Sequence, residues 1–169
     1  EARRALCRIA DLRLRLRSRV AVADEALPEQ FEDCDAAIAL DPDDARSHGT
    51  RALAYGVLAL RRVVQGLSPE AAVAALRESA ERVGDGTMAT WALVAEGEAL
   101  LAQAEFLRRR GEPDQAIFDR ARSLMETAAE LSPMDASVLV ATAIAGQMEA
   151  TRRAQRGEDF EPVFAATVE

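Results

Sequence analysis

The chain has 169 residues, enough for one compact domain or a short array of repeats. Hydrophobic residues make up 49% of it, which excludes a disordered chain. The 29 acidic residues outnumber the 21 basic ones and give a net charge of -8, which disfavours nucleic acid as a partner because an acidic surface repels phosphates. No apolar run approaches the roughly 20 residues that span a bilayer, so no membrane partner is expected.

Helical periodicity dominates the chain, and no stretch alternates as a strand does. Turns rich in Gly, Pro and Asp divide it into helical segments near residues 2–23, 28–40, 44–65, 69–83, 88–110, 113–131, 135–156 and 160–169. The links are short, which places consecutive helices antiparallel. The sequence therefore predicts an all-α protein of about seven helices plus a partial eighth.

The first segment is the basic part of the chain. Residues 1–22 hold seven Arg against Glu1 and Asp11, whereas the remaining residues hold 14 Arg against 27 acids. Such a segment could be an arm for nucleic acid or a membrane. Apolar residues recur in it at three- and four-residue steps, which favours an amphipathic helix with a solvated Arg face.

Cys7 and Cys34 are the two cysteines, and their spacing fits no metal site. We interpret them as reduced, buried thiols, and we expect a cytoplasmic protein. The alternative, a redox or metal pair, has no nearby His or further Cys to support it.

Three glycines stand where helices should end. Gly66, Gly111 and Gly157 each follow an Arg-rich stretch, and a glycine there predicts a left-handed residue after the helix. The Arg side chains suit the negative end of the helix dipole. An anion-binding stripe is the alternative interpretation, and helix-end electrostatics are favoured.

Internal repetition is the strongest signal in the sequence. The pattern A-x-x-L-x-P-x-D-A occurs at 37–45 and again at 128–136, 91 residues later. The long segments also share a column of one bulky residue followed four positions later by alanine: Leu6/Ala10, His48/Ala52, Trp91/Ala95 and Leu139/Ala143. The period is 42 to 48 residues. One array with repeats near 1–42, 43–85, 86–133 and an incomplete 134–169 is predicted.

These features resemble the tetratricopeptide repeat. That family pairs a bulky with a small residue four positions on, as in Trp91/Ala95, and places an alanine five residues before a closing proline, as in Ala37/Pro42 and Ala128/Pro133. The period is longer than the family's usual one. The resemblance implies a right-handed α-solenoid of stacked antiparallel helix hairpins, and non-catalytic binding of a protein or peptide.

A narrower resemblance concerns the segments 108–113 and 156–162, in which Arg-Gly-Glu precedes a proline. They are similar to the long repeats that follow the kinase domain in some bacterial serine/threonine protein kinases. The resemblance implies a segment of a larger bacterial signalling protein. A structural spacer or oligomerisation element, and a sensor that controls an attached kinase or caspase-like protease, are the alternatives.

The sequence carries no catalytic or cofactor motif. His48 is a lone histidine in the bulky column, where we expect partial burial. Asp41, Asp43 and Asp44 lack the spacing of a calcium loop and are interpreted as turn and cap residues. We therefore expect no enzyme activity, no cofactor and no metal.

A concave face lined by the first helix of each hairpin is the site that the family resemblance implies. Such a groove suits an amphipathic helix or an extended peptide. Its candidate residues are Arg46, Gly49, Leu53, Val57, Ala92, Glu96, Leu100, Val140, Ile144, Gln147 and Met148. The alternative is that the apolar members fill the core of long helices.

The last segment begins another helix, with Phe160, Val163 and Phe164 at helical spacing. Repeat arrays need a polar cap at each end. We therefore expect an apolar C-terminal end and self-association through it.

Overall fold

The computed structural model describes Ala5, Cys7 and residues 27–163, with the backbone alone at residues 27–30. Six helices run along that range: α1 Leu27–Leu40, α2 Ala45–Val64, α3 Glu70–Ala80, α4 Thr87–Arg109, α5 Gln115–Leu131 and α6 Ala136–Gln155. Residues 161–163 are also helical, and residues 27–163 contain no strand. The all-α prediction is confirmed. Of the predicted first helix, Ala5 and Cys7 are described and are helical, while the rest of it, with Leu6 and Ala10, lies outside the described residues.

Helix α4 occupies the centre of the described residues. It contacts α2, α3, α5 and α6, while α1 packs on α2, α2 on α3, and α5 on α6. No contact joins α3 to α5 or α2 to α6. Thus α4 separates both of these helix pairs.

Contacts between helix ends give the directions of the helices. Thr90 near the start of α4 meets Ser132 after the end of α5, with 3.4 Å between their hydroxyl oxygens, so these helices are antiparallel. Trp91 and Asp135, both near the start of a helix, are joined by a hydrogen bond, so α4 and α6 are parallel. Met88 lies where a Cβ at Gly49 would be, so α2 and α4 are parallel as well.

The core is built largely from alanine and a few large side chains. Leu76, Phe118 and Met125 are the largest fully buried residues. The alanines with no exposed surface are Ala52, Ala59, Ala99, Ala104, Ala121, Ala128 and Ala141. Small side chains let helix backbones approach one another closely, and this explains why Ala recurs in the interfaces of a chain with few aromatic residues.

Helices α2, α4 and α6 end in the same way. Gly66, Gly111 and Gly157 have φ of 74°, 70° and 72°, which confirms the left-handed residue predicted at each position. The residue after each glycine donates its N–H to a carbonyl five positions earlier, at 2.7 to 3.0 Å. Several of the preceding Arg side chains pair with carboxylates; Arg108, for example, binds Glu105 at 2.7 Å.

The two copies of the A-x-x-L-x-P-x-D-A pattern adopt the same backbone turn. Asp44 N–H donates to the Asp41 carbonyl at 3.1 Å, and Asp135 N–H donates to the Ser132 carbonyl at 3.1 Å. The alanine that opens each copy, Ala37 or Ala128, is buried at 1% or 0%. The two copies of the pattern thus share one turn hydrogen bond, 91 residues apart.

Cys7 and Cys34 form a disulfide, so the expectation of two reduced thiols was wrong. Sequence spacing could not reveal the pair, because 27 residues separate the two cysteines and their proximity depends on how the helices pack. Their Cα atoms lie 4.7 Å apart, and both residues are 1% exposed. Disulfides are rare in cytosolic proteins, so the two cysteines no longer support the expectation of a cytoplasmic protein.

The column of bulky residues is not equally buried along the chain. His48 is 5% exposed and its Nε2 lies 2.8 Å from the Pro42 carbonyl oxygen, while Trp91 is half-buried. Leu139 is 52% exposed. Its counterpart Trp91 has a following helix, α6, packed near it, whereas the described residues after α6 are 156–163, of which 161–163 are helical.

Candidate interaction groove

Helix α4 is recessed between its neighbours. Every residue of α4 from Met88 to Leu107 is buried or half-buried, although this stretch runs for more than five turns. Both α2 and α6 pack on α4 without contacting each other, and each carries exposed apolar residues. Helix α4 therefore forms the bottom of a groove, and α2 and α6 form its two sides.

One face of α2 carries an apolar stripe. Leu53 and Val57 are half-buried, Leu60 is 38% exposed and Val64 is 87% exposed. Their spacing of four, three and four residues puts them on the same side of the helix. Arg46 is exposed about two turns before Leu53, at the N-terminal end of this stripe.

Helix α6 carries the second exposed apolar region. Val140 is 58% exposed, Ile144 is 43% exposed and Met148 is half-buried, again at four-residue steps. Gln147 is exposed beside them. Large apolar groups left in water on both flanking helices are the surface feature that most needs an explanation.

Because α2 and α6 run parallel to α4, each of their residues can be matched to a position along α4. A Cβ at Gly56 would lie 3.4 Å from the Cβ of Ala95, so Glu98, three residues further on, lies level with Ala59 and Leu60. On the other side, Trp91 pairs with Asp135 and Arg108 with Gln155. These two pairings bring Glu98 level with residues 142–145, which include Ile144.

Glu98 is the unpaired acid of α4. It is half-buried, and no described residue forms a hydrogen bond or ion pair with its carboxylate. Burial raises the pKa of Glu98 above its ordinary value, because desolvation disfavours the charged form. In contrast, Arg108 and Arg109 hold the pKa of Glu105 at about 2.

Glu96 lies on the opposite side of α4 from Glu98. It is 5% exposed, and its Oε1 accepts hydrogen bonds from Arg77 of α3 at 3.0 Å and from Arg120 of α5 at 3.1 Å. Two residues further along a helix is a rotation of about 200°. Glu98 therefore faces away from α3 and α5, on the side of α4 that is left open.

We call this side the α2/α4/α6 face. It comprises Leu53, Val57, Leu60 and Val64 of α2, Trp91, Glu98 and Glu105 of α4, and Ile144 and Met148 of α6.

The structure divides the eleven candidate groove residues into three classes. Arg46, Val140, Ile144 and Gln147 are exposed, and Leu53, Val57 and Met148 are half-buried. The remaining four, which are Gly49, Ala92, Glu96 and Leu100, are buried and contribute almost no accessible surface.

Sequence reasoning missed Leu60, Val64, Trp91 and Glu98 as surface residues. The signal for the first two was available, since they continue the helical spacing of Leu53 and Val57. Glu98 carried no such signal, because its spacing alone does not say which acid of α4 faces the neighbouring helices.

A cavity of about 530 Å³ lies at the other flank of α6, between α5 and residues 162–163. Leu139, Ala143 and Gly146 of α6 line it, and Arg122 of α5 is paired with Glu149 of α6 at 2.6 Å at its edge. The cavity is thus mostly apolar with a neutralised charged rim. It lies next to the C-terminal segment for which an apolar end is expected.

No helix among the described residues is long and apolar enough to cross a membrane. Within the same part of the chain, no group of three or more His, Cys, Asp or Glu residues is arranged to hold a metal ion. No protein-family model, curated protein or solved structure was found to match the chain.

Proposed function

We propose that this chain is a non-catalytic protein-interaction segment, built as a tetratricopeptide-like right-handed solenoid, and that it binds a peptide or helix on the α2/α4/α6 face. The observation that carries the proposal is the recessed helix α4 flanked by exposed apolar residues of α2 and α6. Exposed apolar regions of this kind are typical of interaction surfaces.

Three features support the repeat architecture. The helix ends at Gly66, Gly111 and Gly157 share one backbone geometry, and the turns before α2 and α6 share one hydrogen bond pattern. The helix contacts are local, since every contact joins helices that are neighbours or next neighbours in the chain. Local contacts of this kind are what a stacked array of hairpins has.

Self-association is the second candidate function, and a different observation favours it. The apolar cavity beside α6, together with Leu139 at 52% exposure and Phe160 at 43%, offers a contact surface at the C-terminal end of the described residues. We place either function in a larger bacterial signalling protein, on the basis of the sequence resemblance. A segment that senses a regulator for an attached enzyme would use the same surfaces.

The test of the proposed function is peptide selection on the whole chain. A displayed library of random helical peptides is panned against the wild-type protein, and dissociation constants are measured by titration calorimetry. The double variant Leu60→Glu and Ile144→Glu should weaken binding at least tenfold, because each change puts a charge on an apolar contact. Met134→Glu is the control, since Met134 is 88% exposed and lies in the turn before α6.

Binding that survives the double variant unchanged, with helicity and melting temperature intact, would show that the α2/α4/α6 face is not the site. For self-association, light scattering of the wild type should give a dimer or larger species that Leu139→Glu dissociates. A strictly monomeric wild-type protein at high concentration contradicts that second candidate.

A further inference from the structure

We infer that the segment bound on the α2/α4/α6 face is an amphipathic helix with one basic residue, Lys or Arg, whose side chain pairs with Glu98. This inference rests on the proposed function and specifies the chemistry of the partner. Its basis is a row of side chains across three helices, with Glu98 in the middle, Leu60 on one side and Ile144 on the other.

The unpaired state of Glu98 contrasts with the other acids of the same helix. Glu96 binds Arg77 and Arg120, and Glu105 binds Arg108 and Arg109. The chain has 21 basic residues, all of them Arg, yet none of the described ones pairs with Glu98. A half-buried carboxylate without a cation is destabilising, and a cation from a partner relieves that cost.

The surroundings of Glu98 select for a long basic side chain rather than a small ion. A Lys or Arg side chain can lay its methylene groups on apolar surface while its charged end reaches a carboxylate. The flanking residues Val57, Leu60 and Ile144 provide that apolar surface. An acidic or phosphorylated segment is disfavoured by repulsion from Glu98.

The spacing between the flanking helices fits a helix better than an extended strand. Packed helices lie about 8–10 Å apart, so α2 and α6 on either side of α4 are separated by up to about 20 Å. A helix with its side chains is about 10–12 Å across and can rest on α4 between them. To contact the apolar residues of both α2 and α6, the bound helix needs apolar side chains on two of its sides. Its basic residue then lies between these two sides and faces Glu98.

The experiment uses the peptides selected on the wild-type chain and two variants that remove one negative charge each. Glu98→Gln removes the proposed partner of the basic residue. Glu130→Gln removes an exposed acid of α5 that lies outside the α2/α4/α6 face and controls for net charge. The inference predicts that selected peptides contain Lys or Arg within an apolar helical pattern. Their affinity should fall about tenfold with Glu98→Gln and less than twofold with Glu130→Gln.

A double-mutant cycle identifies the pair. Replacing the basic residue of the peptide by Gln should weaken binding to the wild type about tenfold and have little effect on the Glu98→Gln protein. Peptides that bind Glu98→Gln as tightly as the wild type overturn the basic-anchor inference, while the groove stands if Leu60→Glu with Ile144→Glu still abolishes binding. Peptides insensitive to that double variant overturn the proposed function itself.

Discussion

The indole Nε1–H of Trp91 donates a hydrogen bond to Asp135 Oδ2 at 3.2 Å, across 44 residues of sequence. Asp135 also caps α6, because its Oδ1 accepts from the Ser137 N–H at 2.8 Å. One carboxylate therefore fixes the start of α6 and ties it to the start of α4. This contact joins the first helices of two successive predicted repeats.

Loss of this carboxylate should loosen the junction of α4 and α6. Asp135→Ala removes the cap and the Trp91 partner together, so the melting temperature should fall by a few degrees. The change is measured by circular dichroism. The matched control Asp43→Ala removes an exposed acid in the equivalent turn before α2 and should have a smaller effect.

The same carboxylate gives this effect a pH dependence. Hydrogen bonds from Trp91 and from the Ser137 backbone lower the pKa of Asp135 in the folded state. A lowered pKa means that the stabilisation is present above the ordinary Asp pKa and is lost as the pH falls through the folded value. The wild type and Asp135→Ala should therefore converge in stability in acid. A difference that stays constant down to pH 2 would contradict this origin.

Glu96 holds three helices together, and removing its charge should be costly. Glu96→Gln leaves Arg77 and Arg120 without their shared carboxylate and should lower the free energy of unfolding by about 1–3 kcal/mol. Urea denaturation measures this value. The control is Glu126→Gln, in which the acid is 60% exposed and its pair with Arg122 should contribute less than about 1 kcal/mol. Equal effects of the two changes would mean that the buried position of Glu96 is unimportant.

Gly97 is required by close packing rather than by backbone conformation. A Cβ at this position would lie 2.6 Å from Met125 Cε and 3.3 Å from its Cγ, and Met125 is 1% exposed. Alanine is favoured over glycine in a helix by about 1 kcal/mol, but overpacking costs about 1–3 kcal/mol. Gly97→Ala should therefore give no gain or a net loss in unfolding free energy. A stabilised variant would show that Met125 moves aside freely.

The disulfide should contribute to stability through the 27-residue separation that it closes. Cys34→Ser should lower the free energy of unfolding by about 2–4 kcal/mol, since the unfolded chain regains freedom. A reducing agent should lower the free energy of unfolding of the wild type by the same amount. It should cause no further decrease in Cys34→Ser, which has no disulfide to reduce. A thiol assay on the unfolded, unreduced protein should find no free cysteine. Two free thiols per chain would contradict the bond.

Local features of the fold could be predicted from the sequence, because they depend on single residue types. Gly111 and Gly157 marked helix ends since only glycine adopts a left-handed conformation at low cost. The sequence does not show which neighbouring helix each face of a helix packs against. Glu96 and Glu98 differ by about 200° around α4, and only the positions of α3 and α5 decide which one is buried. The disulfide depends on the same long-range packing.

Glu98 should limit the stability of the free protein. Its pKa is raised by desolvation in the folded state, so the ionised form is disfavoured and folding is penalised at neutral pH. The penalty disappears as the pH falls below the ordinary Glu pKa of about 4.3, where the group is protonated in both states. Glu98→Gln should therefore raise the melting temperature by about 1–3 °C at pH 7 and leave it unchanged near pH 3. Glu130→Gln should change it at neither pH, because that side chain is exposed. A destabilised Glu98→Gln protein would mean that the carboxylate has a partner in the folded chain, and a partner's basic residue would then have no unpaired charge to bind.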